Sequence, residues 1–279
     1  MDTSKVWYVT GASQGLGLTL VKKLLETGHR VAATSRNIQA LKKAIVPVDA
    51  AHFLPLAVDL NSPESIDESI RQTLASFNRI DIVVNNAGYG MAGTVEEITD
   101  QDIRNIFDVN VLAGIAVVKK VLPVLRKQRF SFIINIGSIA GFVGAPGWSV
   151  YSATKAAIAA FSEVLALDVK EFGIKVTVVE PSAFRTGFLS ENSLAYTESK
   201  IDGYEAVKEA QKRYLAGNGR QPGDPEIASS IIIGLAENDS PPLHLYLGQD
   251  AYNRASEKLT IMRTELEQWK AISISADYK

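Results

Sequence analysis

Seven short runs along the chain are apolar at consecutive positions: Val6 to Thr10, Val31 to Thr34, Phe53 to Val58, Ile80 to Val84, Phe132 to Ile136, Lys175 to Val179 and Leu243 to Leu247. A strand with one wet face alternates apolar and polar side chains. A strand covered on both faces does not, so these runs predict a mainly parallel sheet sandwiched between helices. The intervening stretches predict helices near 15–27, 38–45, 63–77, 101–127, 151–171 and 225–236. Seven strands alternating with helices make a doubly wound α/β order with helices on both faces. Two regions break the alternation. Residues 184–221, with Phe188, Leu189, Tyr196, Ile201, Tyr204 and Tyr214, form an insertion before the last core helix, expected to be partly helical and to close over the site. Residues 249–279 form a C-terminal extension, with a helix near 250–271 that carries Leu259, Met262, Leu266 and Trp269 on one side.

Composition narrows the classes more than it selects one. The 279 residues are 46% hydrophobic, with no linker, repeat or low-complexity tract, so residues 1–279 are expected to form a single domain. A net charge of −2 gives no general attraction to nucleic acid or to an anionic membrane. There is no cysteine, hence no disulfide framework or thiolate metal site, and His29, His52 and His244 stand apart from one another, so no metal is expected. Met1 to Lys5 lack a signal-peptide profile, and no apolar run is read as approaching the ~20 residues of a membrane helix. The expectation is a soluble, cytoplasmic protein without membrane or nucleic-acid partners.

Ligands of open α/β sheets bind beyond the carboxyl ends of the strands, which directs attention to the residues after each run. Gly11, Ser13, Gln14, Gly15, Leu16 and Gly17 follow the first strand and open the first helix. Glycines there permit a tight turn and close approach of backbone to a pyrophosphate, and the helix N-terminus adds unpaired N–H donors. Such a turn can also serve packing alone. At the end of the second strand, Ser35 and Arg36 stand where a carboxylate would favour NAD; Arg36 can pair with a 2′-phosphate, which makes NADP(H) the expected cofactor. A solvated arginine beside a helix cap would read the same. Asp59 and Leu60 end the third strand, with Asp59 placed to accept from an adenine amino group or to cap the next helix. Asn86, Ala87 and Gly88 end the fourth, leaving room for a ribose, although an ordinary turn would look similar.

The reacting chemistry is read from Tyr151 and Lys155, four residues apart and so on one helix face, with Ser138 at the end of the fifth strand. A phenol of pKa about 10 exchanges protons poorly near neutrality unless a positive charge stabilises its anion. An ammonium about 4 Å away, at an effective dielectric near 20, is worth on the order of 4 kcal/mol, so Lys155 is expected to bring the Tyr151 phenol into working range. Tyr151 would then protonate a carbonyl oxygen as hydride reaches its carbon, and Ser138 would donate to the developing oxyanion. Taken singly, the Tyr/Lys pair could be packing and Ser138 a cap.

Thr10 to Gly17, Asn85 to Gly88, Asn110, Ser138, Tyr151 to Lys155 and Pro181 to Thr186, in this order, resemble the classical short-chain dehydrogenase/reductase family over roughly residues 4–248. The resemblance implies a Rossmann-like fold, an NAD(P)-dependent carbonyl reductase or alcohol dehydrogenase, and an Asn-Ser-Tyr-Lys tetrad at Asn110, Ser138, Tyr151 and Lys155. It implies that Asn110 bends its helix and holds a water linking Lys155 to solvent, and that Tyr151, Lys155, Pro181, Phe184 and Thr186 touch the cofactor. It also implies pairing through the helices near 101–127 and 151–171, into dimers or tetramers; with the C-terminal helix placed to cover the last strand's edge and block the tetramer contact, a homodimer or a monomer is expected. One position departs from the family: Ser182 stands where glycine is usual, which raises the question of backbone strain.

The expected substrate wall is apolar: Tyr89, Met91, Phe142, Val143, Pro146, Trp148, Phe184, Phe188 and Leu189, with Ser138 and Tyr151 at the reacting carbon. It suits a hydrophobic ketone or aldehyde, or the corresponding alcohol. Two other functions stay open. A nucleotide-sugar epimerase or dehydratase uses a similar Tyr/Lys pair, but with a differently spaced glycine loop. A dinucleotide sensor without turnover would have little need of Ser138, Tyr151 and Lys155 together.

Overall fold

A computed structural model of the chain describes residues 4–45, 49–190, 193–198 and 200–278, so residues 1–3, 46–48, 191, 192, 199 and 279 lie outside it. In chain order, β1 (Val6–Val9), α1 (Gly15–Glu26), β2 (Arg30–Ser35), α2 (Ile38–Ala44), β3 (Phe53–Ala57), α3 (Pro63–Phe77) and β4 (Ile82–Asn85) make the first half. After β5 (Gly90–Ala92), α4 (Asp100–Phe107), α5 (Ala113–Gln128), β6 (Phe132–Ile136), α6 (Ile139–Phe142), α7 (Ser149–Asp168) and β7 (Lys175–Pro181) follow, then β8 (Leu194–Tyr196), α8 (Glu205–Ala216), α9 (Pro225–Leu235), β9 (His244–Leu247) and α10 (Gln249–Ile274).

Seven strands form one parallel sheet in the order β3-β2-β1-β4-β6-β7-β9. Successive residues of β1 show why the runs are apolar throughout. Trp7 and Val9 enter a core cluster shared with α1 and α9, while Val6 and Tyr8 enter another shared with α3, α5 and α7. Both faces are thus buried, as the consecutive apolar runs require. Strand order reverses between β1 and β4, and the crevice outside that point is where a doubly wound sheet binds its ligand.

Three elements differ from expectation. The helix expected near 101–127 is interrupted by a π-turn at Asp108–Leu112, between α4 and α5, where the resemblance has Asn110 bend it. The insertion is partly helical through α8, but it also contributes β8, which pairs in parallel with β5 through Gly90↔Leu194, Met91↔Ala195 and Ala92↔Tyr196. Two three-residue strands carry too short a pattern to be read in advance. Finally, α10 buries only Ala251 and Ala255, against Ile139, Phe142, Val143 and Tyr246, and every described residue from Leu259 onward is exposed. Its apolar side therefore does not pack on the domain.

Among the described residues one helix, α7, is long and apolar enough to cross a membrane, contrary to the reading that no run approaches that length. It packs on β7 and α6 and buries Lys155 and Ser162, as the core helix of a folded domain does.

Candidate functional site

The strand ends and the insertion surround a cavity of about 660 Å³. The β1–α1 loop forms one end, with Gly11, Ser13, Gln14, Gly15 and Leu16 in the wall. Gly11 has φ +65°, and a Cβ there would lie 2.7 Å from Ala87 Cα, so only glycine lets this turn close on the end of β4. The two loops are tied together. Thr10 Oγ1 accepts from the Asn86 and Ala87 N–H groups at 3.0 and 3.1 Å, and Asn86 Nδ2 donates to the carbonyls of Thr10 and Gly11, each at 3.0 Å. Gly17 lies behind the wall rather than in it, where a Cβ would be 2.4 Å from Asn86 Nδ2; it is needed for packing. Gln14, which precedes the first turn of α1, makes no side-chain cap, and that turn holds no acid, so the leading N–H groups of the helix remain free for an anion.

At the end of β2, Ser35 and Arg36 line the same cavity and no carboxylate accompanies them. Arg36 is exposed beside Asn37, which caps α2 by accepting from Ala40 N at 2.9 Å. Thr34 Oγ1, in the wall next to them, is buried and has no hydrogen-bond partner among the described residues. A buried hydroxyl left in this state is a place for a ligand group to bond. Asp59 and Leu60 are also in the wall. Ser62, not Asp59, caps α3, and Asp59 Oδ1 accepts from Asn61 N at 3.0 Å. Ala87, Gly88, Pro181, Phe184 and Thr186 complete this side. The glycine cradle, the uncapped helix end and the unpaired hydroxyl fit a dinucleotide.

Ser182 causes no strain. Its φ is not in the left-handed region; its N–H donates to Leu247 O at 3.0 Å, and its Oγ occupies space left by Gly248, where a Cβ would come within 2.6 Å.

The reacting end is assembled by α6 and α7. Gly141 would place a Cβ 2.6 Å from the Lys155 carbonyl carbon, so its bare backbone lets α6 lie against α7 and brings Ser138 to Tyr151. Ser138 is a helix cap, its Oγ accepting from Ala140 N at 3.1 Å, and it is also hydrogen-bonded to Tyr151. Lys155 is buried, donates to Ile136 O at 2.9 Å, and holds its Nζ 5.7 Å from the centre of the Tyr151 ring. Asn110 sits in the π-turn outside the cavity wall. Its Oδ1 accepts from Tyr89 N at 3.0 Å and its Nδ2 donates to Tyr89 O at 2.9 Å and Thr154 Oγ1 at 3.2 Å. That clasp joins the π-turn, the loop before β5 and α7.

Burial opposes one expectation. It pushes the Tyr151 phenol up to about 12, against its hydrogen bond with Ser138, and pushes Lys155 down to about 8. Removal of both groups from water disfavours the charged form of each and so acts against the expected effect of Lys155 on the phenol. Burial also raises the Tyr89 phenol, helped by Asp102 and opposed by Arg36.

The substrate wall is partly as expected. Tyr89, Trp148, Phe184, Phe188 and Leu189 line the cavity. Trp148 and Phe188 stand 5.4 and 5.8 Å from Tyr151, ring centre to ring centre, and Tyr214 meets Trp148 edge-on at 5.2 Å. Phe142 is a correction. It is not in the wall but packs on Tyr246 and α10, and Met91, Val143 and Pro146 are likewise absent from it. In their place are Tyr214 from α8, Gln221, and Arg254 from α10, which donates to Val143 O at 2.8 Å. The aromatic content of the insertion was a signal for Tyr214. Nothing in the sequence marked Arg254, whose place depends on how α10 docks.

A glycine-lined crevice of a shape and chemistry that fit a dinucleotide, combined with a Ser/Tyr/Lys cluster at the same sheet edge whose tyrosine and lysine are buried, points to a redox enzyme of the doubly wound class. The family described as short chain dehydrogenase matches residues 5–196, and the chain belongs to the short-chain dehydrogenase/reductase family of oxidoreductases. It is 32% identical over 274 residues to Oxidoreductase BOA17 of Botryotinia fuckeliana (strain B05.10), covering 98% of this chain and 99% of that protein. It is 31% identical over 240 residues to a 3-ketodihydrosphingosine reductase of Bacteroides thetaiotaomicron, covering 86% of each. The crystal structure of a short-chain dehydrogenase from Streptomyces avermitilis superposes with a TM-score of 0.91 at 33% identity, covering 100% of both chains.

Proposed function

We propose that this protein transfers hydride between NADP(H) and a carbonyl or secondary alcohol, with Tyr151 as general acid/base and a hydrophobic ketone or aldehyde as the small-molecule substrate. The observation that carries this reading is the convergence of Tyr151, Ser138 and Lys155 in the cavity whose other end holds the glycine loop and Arg36. The bound nicotinamide supplies or accepts the hydride. Every other part belongs to the chain. The α1 N-terminus and the Gly11 turn receive the pyrophosphate, Arg36 pairs with the 2′-phosphate, and the Lys155 ammonium donates to ribose hydroxyls. Ser138 Oγ accepts from Ala140 N and shares its proton with Tyr151 in the free protein; when substrate binds between them that proton turns to the substrate oxygen. Tyr151 passes its proton to that oxygen in reduction and takes it back in oxidation. Asn110 acts at a distance from the substrate, by fixing Tyr89 and Thr154.

Trp148, Phe188 and Tyr214 supply the apolar wall, and a relative named for reduction of a ketone, 3-ketodihydrosphingosine reductase, supports a substrate of this kind. Comparing kcat/KM for NADPH and NADH with a panel of hydrophobic ketones and aldehydes tests the assignment. NADPH is expected to be favoured by at least about tenfold, a preference of about 1.4 kcal/mol, with Arg36→Ala erasing most of it. A wild-type preference for NADH would refute the 2′-phosphate role.

A further inference from the structure

Ala251 and Ala255 seat α10 on α6 and the end of β9; Arg254 donates to the Val143 carbonyl, Lys258 to that of Phe142, and beyond them the helix leaves the domain. Its apolar positions do not stop there. Tyr252, Ala255, Leu259, Met262, Leu266 and Trp269 follow one another at alternating steps of three and four, the 3.5-residue repeat by which one helix sets knobs into the holes of another. Leu259, Met262, Leu266 and Trp269 are 55%, 46%, 66% and 55% accessible. The stretch from Leu259 to Ile274 is about 24 Å long, and helices of this length owe their stability to packing rather than to propensity.

We propose that this seam pairs with the same seam of a second copy of the chain, the two α10 helices running parallel about a two-fold axis. Charge selects this occupant over an anionic bilayer. Across 257–274 the bases Lys258, Arg263 and Lys270 are balanced by the acids Glu257, Glu265 and Glu267, leaving no surplus to hold the helix on acidic lipid. Charge also makes the seam complementary to itself. With Leu259 and Leu266 at the first position of successive heptads, Glu265 and Lys270 take the two flanking positions that meet across a parallel pair. Symmetry then forms the Glu265–Lys270 contact twice. Lys258, which would otherwise oppose Arg263 of the other copy, is engaged with the Phe142 carbonyl and lies 4.9 Å from the centre of the Phe142 ring.

The proposal adds a subunit contact to the oxidoreductase reading, and its failure would leave the cofactor assignment untouched. Sedimentation velocity and light scattering on the full chain, at micromolar concentration, test it. Because Leu266 and Trp269 are exposed, Leu266→Glu/Trp269→Glu is expected to keep the fold and the cofactor affinity while halving the mass of the assembly. Glu265→Lys alone is expected to weaken association at least tenfold, and Glu265→Lys/Lys270→Glu to restore it. Equal masses for the wild type and the double glutamate variant would overturn the proposal. So would flotation of the wild type with phosphatidylserine vesicles in place of self-association.

Discussion

Tyr151 keeps its proton through the neutral range, since burial holds its pKa near 12. A loaded phenol is suited to give a proton to a carbonyl oxygen and poorly suited to take one from an alcohol. Reduction is therefore expected to outpace oxidation at pH 7, with kcat for oxidation climbing as pH rises above 8; an oxidation rate that is flat or falling there would contradict this. The same pKa displacements act on stability, with opposite signs. Between about 10 and 12 the folded chain retains a Tyr151 proton that the unfolded chain has lost, so stability falls as pH rises through that window. Between about 8 and 10.5 the unfolded chain binds a Lys155 proton that the folded chain has released, so stability rises there. Below pH 8 the buried ammonium costs stability. Lys155→Met should accordingly be more stable than wild type at pH 7, by on the order of 2 kcal/mol after loss of the bond to Ile136 O, with the advantage shrinking toward pH 10 in denaturant titrations. Ser138 shows what a single residue allows the sequence to say. Its reading as a cap and its proposed reading as an oxyanion donor are compatible, since the cap uses a lone pair of Oγ while the hydroxyl proton faces Tyr151.

The elements that were legible are those whose pattern is local. Seven apolar runs became seven parallel strands because burial on both faces writes itself into every residue of a strand. The break between α4 and α5 has no local signal and was expected only from the family resemblance, as a bend at Asn110, because it answers to Tyr89 and Thr154, partners of Asn110 that lie 21 and 44 residues away along the chain. Phe142 was misplaced for a similar reason: α6 is one turn long, and which way its last side chain points is decided by α10. Gly141 is the element-scale hinge of the site. Gly141→Val forces α6 off α7 at a contact where a Cβ has only 2.6 Å, and should destabilise the protein by about 1–3 kcal/mol and lower kcat more than it raises KM. A variant with unchanged melting temperature and kcat would mean that Ser138 is not positioned by this contact.

At the scale of the whole molecule, the cavity is closed by segments from the first strand to the last helix, Gly11 through Arg254, so its integrity and that of the fold are one equilibrium. A ligand that binds it in the folded state alone stabilises the protein by mass action, by about 2.7 kcal/mol at a hundredfold excess over Kd, and so raises the melting temperature. NADPH is expected to shift the melting temperature of the wild type more than NADH does, and Arg36→Ala to equalise the two. The most direct test of the account is Tyr151→Phe, which removes one oxygen from a buried ring. Kd for NADPH, followed by nucleotide fluorescence, should stay within about threefold, about 0.6 kcal/mol, while kcat for reduction of a hydrophobic ketone falls by three orders of magnitude or more, about 4 kcal/mol. Turnover within tenfold of wild type would show that the proton comes from elsewhere.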